Sequence, residues 1–147
     1  MITSGTTLKW RIDHLWPQAD IRMSDNDYWI PSTEDFDRFV KYQWVSKQKY
    51  IDEVFDCDDF ALLFKATAVL FIADLVWAGA VEKENIRPWA VGEVWGTKFR
   101  GIETAHAVNL VFLQEGLINF KMYLYEPQKC ERWIPDNLTD MVDYARI

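Results

Sequence analysis

Apolar side chains in the first half of the chain recur at a helical spacing. Residues at positions i, i+3, i+4 and i+8 form one face, namely Phe36, Phe39, Val40 and Trp44. Gln43 is the polar exception on this face. Ser32 precedes it with Asp35 three residues later, as in a helix N-cap, so we predict an amphipathic helix over residues 33–46.

A second segment, residues 57–77, is hydrophobic around most of the helix circumference. Such a helix is expected at the centre of a fold rather than at its edge. Lys65 and Asp74 interrupt the apolar stretch, which favours a buried helix over a membrane span. Gly79 follows as a stop signal.

After Pro88 the pattern changes to short segments rich in valine, leucine and aromatic residues. Residues 89–95, 106–113 and 120–125 are separated by glycine-containing connections. Consecutive strands with short connections predict an antiparallel meander. We expect a final helix over 137–146, an extended N-terminal arm over 1–31 that wraps the core, and a loop or short turn over 46–54.

Helices followed by strands indicate the α+β class, with a sheet packed on the central helix. The 147 residues suit a single domain, and 50% hydrophobic content excludes a disordered chain. The net charge of −7 argues against nucleic-acid binding. Two cysteines and an N-terminus without an apolar signal segment predict a cytoplasmic protein with reduced thiols.

The negative charge is concentrated between residues 23 and 59, a segment that contains ten acidic and four basic residues. This segment can be a solvated face, a cation site or a surface for a basic partner. Asp56, Asp58 and Asp59 are the candidate metal ligands, with calcium as the candidate ion. They lie too close in the sequence to supply the six to eight oxygens of a calcium site alone.

Three residues can combine as a nucleophile, a base and an orienting acid. Cys57 begins the central helix, where the helix dipole lowers the pKa of a thiol, although the neighbouring acids oppose this. His106 starts a strand, and antiparallel pairing would place Glu126 beside its ring. Each also has an ordinary interpretation: a small buried cysteine, a hydrogen-bonded core histidine and a solvated strand-end glutamate.

The segments 56–61 (DCDDFA), 106–109 (HAVN) and 126–128 (EPQ) resemble the papain-like and transglutaminase-like cysteine peptidases. The same segments resemble the peptidase-like C-terminal domain of the Marasmius oreades agglutinin. The resemblance implies Cys57 as nucleophile, His106 as base and Glu126 as orienting acid, acting on a peptide or protein. Because the agglutinin-type domain is calcium-dependent and dimeric, the resemblance also implies calcium binding and a homodimer.

The chain departs from the peptidase pattern near the expected oxyanion hole. Ile51 stands six residues before Cys57, where papain-like enzymes have glutamine, so Gln48 and Tyr50 are the candidate substitutes. The agglutinin-type enzymes have glycine before the histidine, whereas this chain has Ala105. The candidates for lining a substrate cleft are Trp95, Asn109 and Gln128.

Two functions follow from these patterns. The first is a thiol-dependent amide hydrolase or acyltransferase with a Cys-His-Glu triad, for which the sequence requires no cofactor and calcium is a candidate ion. The second is an inactive scaffold of the same fold that binds a basic protein partner through its acidic segment. We expect no membrane partner in either case. A sulfur–imidazole distance of roughly 3–4 Å between Cys57 and His106 would favour the enzyme.

Overall fold

A computed structural model describes residues 1–147, except for the side chain of Asn85. The three helices are α1 (Gly5–Leu15), α2 (Thr33–Tyr42) and α3 (Cys57–Trp77). The eight strands are β1 (Ile2–Ser4), β2 (Asp20–Arg22), β3 (Asp27–Trp29), β4 (Val91–Phe99), β5 (Ile102–Glu115), β6 (Asn119–Glu126), β7 (Glu131–Trp133) and β8 (Met141–Arg146). The predicted α+β class is confirmed.

Six strands form one sheet in the order β2-β8-β4-β5-β6-β7, while β1 and β3 pair separately. Strands β4 to β7 run antiparallel to their neighbours, which confirms the predicted meander. Strand β8 returns to pair with β4, and β2 pairs with β8 in parallel. The sheet therefore joins the two ends of the chain.

Strand β5 divides the core because its side chains alternate between the two faces of the sheet. Val108, Leu110 and Phe112 pack in a cluster with residues of α1. Val111 and Leu113 pack in a second cluster with residues of α2 and α3. The sheet therefore lies between α1 on one face and α2 with α3 on the other.

The prediction of an extended arm over residues 1–31 is wrong. Leu8 and Ile12 form the inner side of α1, Trp16 follows four residues later as its C-cap, and all three are fully buried. The Ser4 side chain caps this helix by accepting the Thr7 backbone N–H. The N-terminal region is therefore part of the core.

The predicted helix over 33–46 is real but shorter, since α2 ends at Tyr42. Ser32 is its N-cap, as expected, and accepts the backbone N–H of Asp35 at 3.0 Å. Gln43 adopts an extended conformation with ψ of 147°, which breaks the helix before a separate 3₁₀ turn at Val45–Lys47. This turn falls partly in the segment predicted as a loop or short turn.

The central helix spans Cys57–Trp77, as predicted. Asp56 and Asp59 form a reciprocal capping box at its start, and Gly79 adopts a positive φ of 68° just beyond its end. The helix is long and apolar enough to cross a membrane by length and composition alone. One side packs on the sheet, whereas Leu62, Val69 and Trp77 are exposed, so the expectation of a helix at the centre of the fold is wrong.

The prediction of a helix over 137–146 is also wrong, because Met141–Arg146 forms strand β8. Val142 and Ala145 are buried, and the backbone of the segment completes the hydrogen-bond ladder beside β4. This segment is a strand because it pairs with a distant strand, and the local sequence does not indicate that pairing.

Candidate functional site

His106 and Glu126 are joined directly across the β5–β6 pair. The register of Asn109 opposite Tyr125 brings the end of β6 beside the first part of β5. His106 Nε2 lies 2.6 Å from Glu126 Oε2, and the Gln128 backbone N–H donates to Glu126 Oε1 at 3.2 Å. Since Glu126 is buried, this carboxylate holds the ring in one orientation.

The histidine–glutamate pair forms one wall of a crevice of about 250 Å³. The crevice is lined by Phe99, Arg100, Ile102, Thr104, His106, Glu126, Lys129, Glu131 and Trp133. The Arg100 guanidinium lies 4.6 Å from the centre of the Trp133 ring and pairs with Glu131 at 2.8 Å. The crevice thus combines an indole with hydrogen-bond donors and acceptors.

Arg100 was not predicted as a site residue. It has a positive φ of 51° in the tight connection from β4 to β5. The Arg100-Gly101 pair between two strand-like segments signals this turn, and the turn leads directly into the strand that carries His106. The sequence therefore contained a signal for the turn at Arg100.

The Cys57 thiol lies at the first position of α3 and is partly buried. Burial raises its pKa above the ordinary value, and the carboxylates of Asp56 and Asp58 raise it further, although the Ala107 backbone amide opposes them. A raised pKa disfavours the thiolate, whereas an activated nucleophile has a lowered pKa.

The structure brings Cys57 near Ala107 and does not join it to the His106 ring. Among the described residues, no hydrogen bond links the thiol to the imidazole. The Asn109 amide donates to the Ala61 carbonyl of α3 at 2.8 Å, so odd-numbered positions in this part of β5 face α3. His106 faces the other way, and its ring contacts Phe99 at a centroid distance of 6.1 Å.

Acidic residues surround the start of α3. Asp56, Asp58 and Asp59 lie there, and the exposed Asp52 and Glu53 precede them; together these five form the α3 acidic surface. Among the described residues, none of the five forms an ion pair.

The ligand atoms of Asp56, Cys57 and Asp58 lie within 4.8 Å of one another. A hydrogen bond with the Asp56 side chain, followed by burial, raises the pKa of Asp58. The two carboxylates therefore share a site that a cation would neutralise, and their oxygens suit calcium better than the thiol does.

Of the two candidate oxyanion residues, Tyr50 lies close enough to the thiol to interact with it electrostatically. Partial burial, followed by the charges of Asp52 and Asp56, raises the pKa of the Tyr50 hydroxyl, and Cys57 contributes as well. The Gln48 side chain instead donates to the Trp44 carbonyl at 3.3 Å.

The crevice beside His106 is lined by none of the three candidate cleft residues among those that the structure describes. Trp95 packs against the Tyr144 ring at 5.2 Å, and Asn109 is fully buried. The Asn109 amide ties β5 to α3 and also donates to the Gly92 carbonyl at 3.0 Å. Gln128 contacts the site through its backbone N–H to Glu126.

No family model matches this sequence, and no curated protein matches it. Solved structures do match. A structure titled "PSL1a-E64 complex" aligns with a TM-score of 0.74 and 20% identity over 99% of this chain and 51% of that chain. A Polyporus squamosus lectin, bound to the human-type influenza-binding epitope Neu5Aca2-6Galb1-4GlcNAc, aligns with a TM-score of 0.73 and 21% identity over 99% of this chain and 49% of that chain.

These matches contradict the identification as a papain-like or transglutaminase-like cysteine peptidase close to the Marasmius oreades agglutinin domain. One matched structure is titled a lectin with a bound glycan, and neither title names a peptidase. The structure supplies a physical reason, since burial raises the pKa of the Cys57 thiol and, among the described residues, no hydrogen bond joins it to the imidazole. On these findings the predicted thiol hydrolase or acyltransferase, with its peptide substrate, is wrong, and the alternative of a binding module fits better.

The likeness extends to fold only, because the identities are low. This chain spans about half the length of the structures that it matches. It shares the fold of one half of these chains.

Proposed function

We propose that this chain is a protein-binding module that holds a basic partner segment on the α3 acidic surface. The observation that carries the proposal is the lack of compensation among the described residues: none of the five acids is paired with a basic side chain. Uncompensated charges in one place attract an oppositely charged partner and speed its association.

Apolar side chains accompany these acids. Tyr50, Ile51 and Val54 are each at least half exposed, and Val54 is 70% exposed. Tyrosine is enriched in interfaces because it contributes large contact area and a hydroxyl. A partner that offers lysine or arginine beside an apolar residue would therefore gain both charge pairing and apolar burial.

The test is the binding of a 20-residue lysine peptide, measured by calorimetry at two salt concentrations. Binding should weaken from 50 to 300 mM NaCl, since exposed charges are screened. The double variant Asp52→Asn/Glu53→Gln should weaken it by about fivefold, from roughly 0.5 kcal/mol per exposed pair. Both residues are exposed and lie outside the helix cap.

A matched control separates the surface from net charge. Glu34→Gln/Asp37→Asn removes the same number of charges from α2, where Arg38 and Arg132 already pair with these acids. Its binding should stay within about twofold of the parent protein. Equal losses in both double variants would show that the peptide reads net charge only, and the proposal would be wrong.

E64, the molecule named in the first matched title, supplies a second arm of the test. Intact mass after incubation should show no adduct, because burial raises the pKa of the Cys57 thiol and the His106 ring is paired with Glu126 instead. A stoichiometric adduct mapped to Cys57 would overturn a function limited to binding and would return the thiol to the centre of the chemistry.

Carbohydrate binding in the crevice is a second candidate, favoured by the glycan in the lectin title and by the indole of Trp133. Sugar hydroxyls both donate and accept, and the charged side chains beside Trp133 offer both partners. Saturation-transfer NMR with the trisaccharide Neu5Aca2-6Galb1-4GlcNAc tests carbohydrate binding. Signal that is lost in Trp133→Ala and kept in Trp77→Ala would support this site, and no signal would exclude it.

A further inference from the structure

A groove on the α1 side of the molecule differs in charge from the rest of the chain. It has a volume of about 440 Å³ and runs between α1, β6 and the segment after β7. Arg11, His14 and Lys121 contribute to its lining, and none of the described residues in this lining is acidic. In a chain of net charge −7, this groove therefore favours a negatively charged ligand.

Arg11 is the charged group available to such a ligand. Its guanidinium lies 4.2 Å from the centre of the Phe120 ring and donates one hydrogen bond to the Phe120 carbonyl at 3.3 Å. Among the described residues, no carboxylate pairs with it, whereas Lys121 is already paired with Glu115 at 2.8 Å. A guanidinium has five N–H donors, so several remain for a planar carboxylate.

The groove also presents a flat aromatic surface. The ring of Trp10 stacks on the ring of His14 with centroids 5.7 Å apart and planes 19° apart. Trp10 is 65% exposed although it is the largest side chain of α1. Ile134 is 60% exposed and lies in the lining of the same groove, so apolar contact is available next to Arg11.

We propose that this groove is a binding site for a small aromatic carboxylate. The carboxylate pairs with Arg11, and the aromatic ring lies on the Trp10–His14 stack. The groove volume falls within the roughly 300–1,000 Å³ of known ligand pockets. This site is separate from the α3 acidic surface, and the proposal does not depend on the function assigned to that surface.

The experiment follows the indole N–H resonances of the ¹⁵N-labelled protein during titration with 2-naphthoate. The Trp10 resonance, assigned by its absence in Trp10→Ala, should shift with a dissociation constant on the order of 1 mM for a ligand of this size. Arg11→Gln should weaken binding by about tenfold, the value of a charge-assisted hydrogen bond. Arg22→Gln, which removes an arginine paired with Asp20 elsewhere, should leave binding unchanged.

Two related probes identify the chemistry. The neutral 2-naphthalenemethanol should bind about tenfold more weakly than 2-naphthoate, because it offers no charge to Arg11. Equal binding of the alcohol, or equal effects of Arg11→Gln and Arg22→Gln, would overturn the proposal. Tighter binding of 2-naphthyl phosphate than of 2-naphthoate would overturn the assignment to carboxylates. Because Trp10 is exposed, Trp10→Ala should fold normally, and its failure to abolish binding would place the ligand elsewhere.

Discussion

Helices α2 and α3 both begin with several acidic residues, but the partners of these residues differ between the two helices. At the start of α2, Arg38 lies near Glu34 and Asp35, and Arg132 of β7 binds Asp37. At the start of α3, among the described residues, the acids contact backbone N–H groups and each other, and no basic side chain pairs with them. Arg38 lies in the same helix as Glu34 and Asp35, so these pairs can be read from the local sequence, whereas only the fold reveals the pairing of Asp37 with Arg132.

The largest effect should come from removing the cap of α3. Asp56→Ala removes the side chain that accepts backbone N–H groups at the start of the helix. We expect a loss of about 1–2 kcal/mol in the free energy of unfolding, measured by urea denaturation. Asp56→Asn is the matched variant, because asparagine caps equally well without the charge. If the two variants lose the same stability, the charge and not the cap holds this end of α3.

A smaller effect should follow from neutralising one acid at each helix. Asp37→Asn breaks the contact with Arg132 and should cost about 0.5 kcal/mol in the free energy of unfolding. Asp58→Asn should cost nothing, because no basic side chain in the described part of the chain pairs with Asp58 and its neighbour Asp56 is also acidic. A comparable loss in both variants would contradict the contrast between the two helices.

Calcium binding at the start of α3 should have a still smaller effect on the free energy of unfolding. The Asp56 and Asp58 carboxylates supply too few oxygens for tight binding, so we propose a dissociation constant of about 1 mM. At 1 mM calcium, the protein should gain about 0.4 kcal/mol of stability. The gain should vanish in Asp58→Asn and persist in Asp37→Asn. A gain that is unchanged in Asp58→Asn would place the ion elsewhere.

Local patterns predicted the parts of the fold that depend on local structure. The bounds of α3 follow from its apolar run with Gly79 beyond it, and the β4–β6 meander follows from short strands with glycine turns. Strand β8 could not be predicted, because its conformation depends on pairing with the distant β4. The exposed outer side of α3 could not be predicted either, because the sequence of an apolar helix does not indicate which of its faces packs on the sheet.

The candidate site shows the same division. Antiparallel pairing of β5 and β6 alone suffices to put Glu126 beside His106. Bringing Cys57 to the same ring requires the register of β5 against α3, and a shift of one residue reverses the face of every side chain. With Asn109 turned toward α3, His106 faces away from that helix. That register cannot be read from the three motifs.

The last and mildest test leaves the fold unchanged and compares the two thiols. Cys57 lies at the α3 acidic surface, where burial and the neighbouring carboxylates raise its pKa, whereas Cys130 is exposed. A raised pKa means less thiolate at neutral pH, so iodoacetamide at pH 7 should alkylate Cys57 more slowly than Cys130, as followed by peptide mass spectrometry. The rate at Cys57 should increase as the pH rises toward its raised pKa, and it should increase at pH 7 in Asp58→Asn, which removes one of the opposing charges. Faster labelling of Cys57 than of Cys130 at pH 7 would show that a thiolate is stabilised at the start of α3. The acidic charge at this helix start would then be compensated by a positive group beside the thiol, and the contrast with α2 would be wrong.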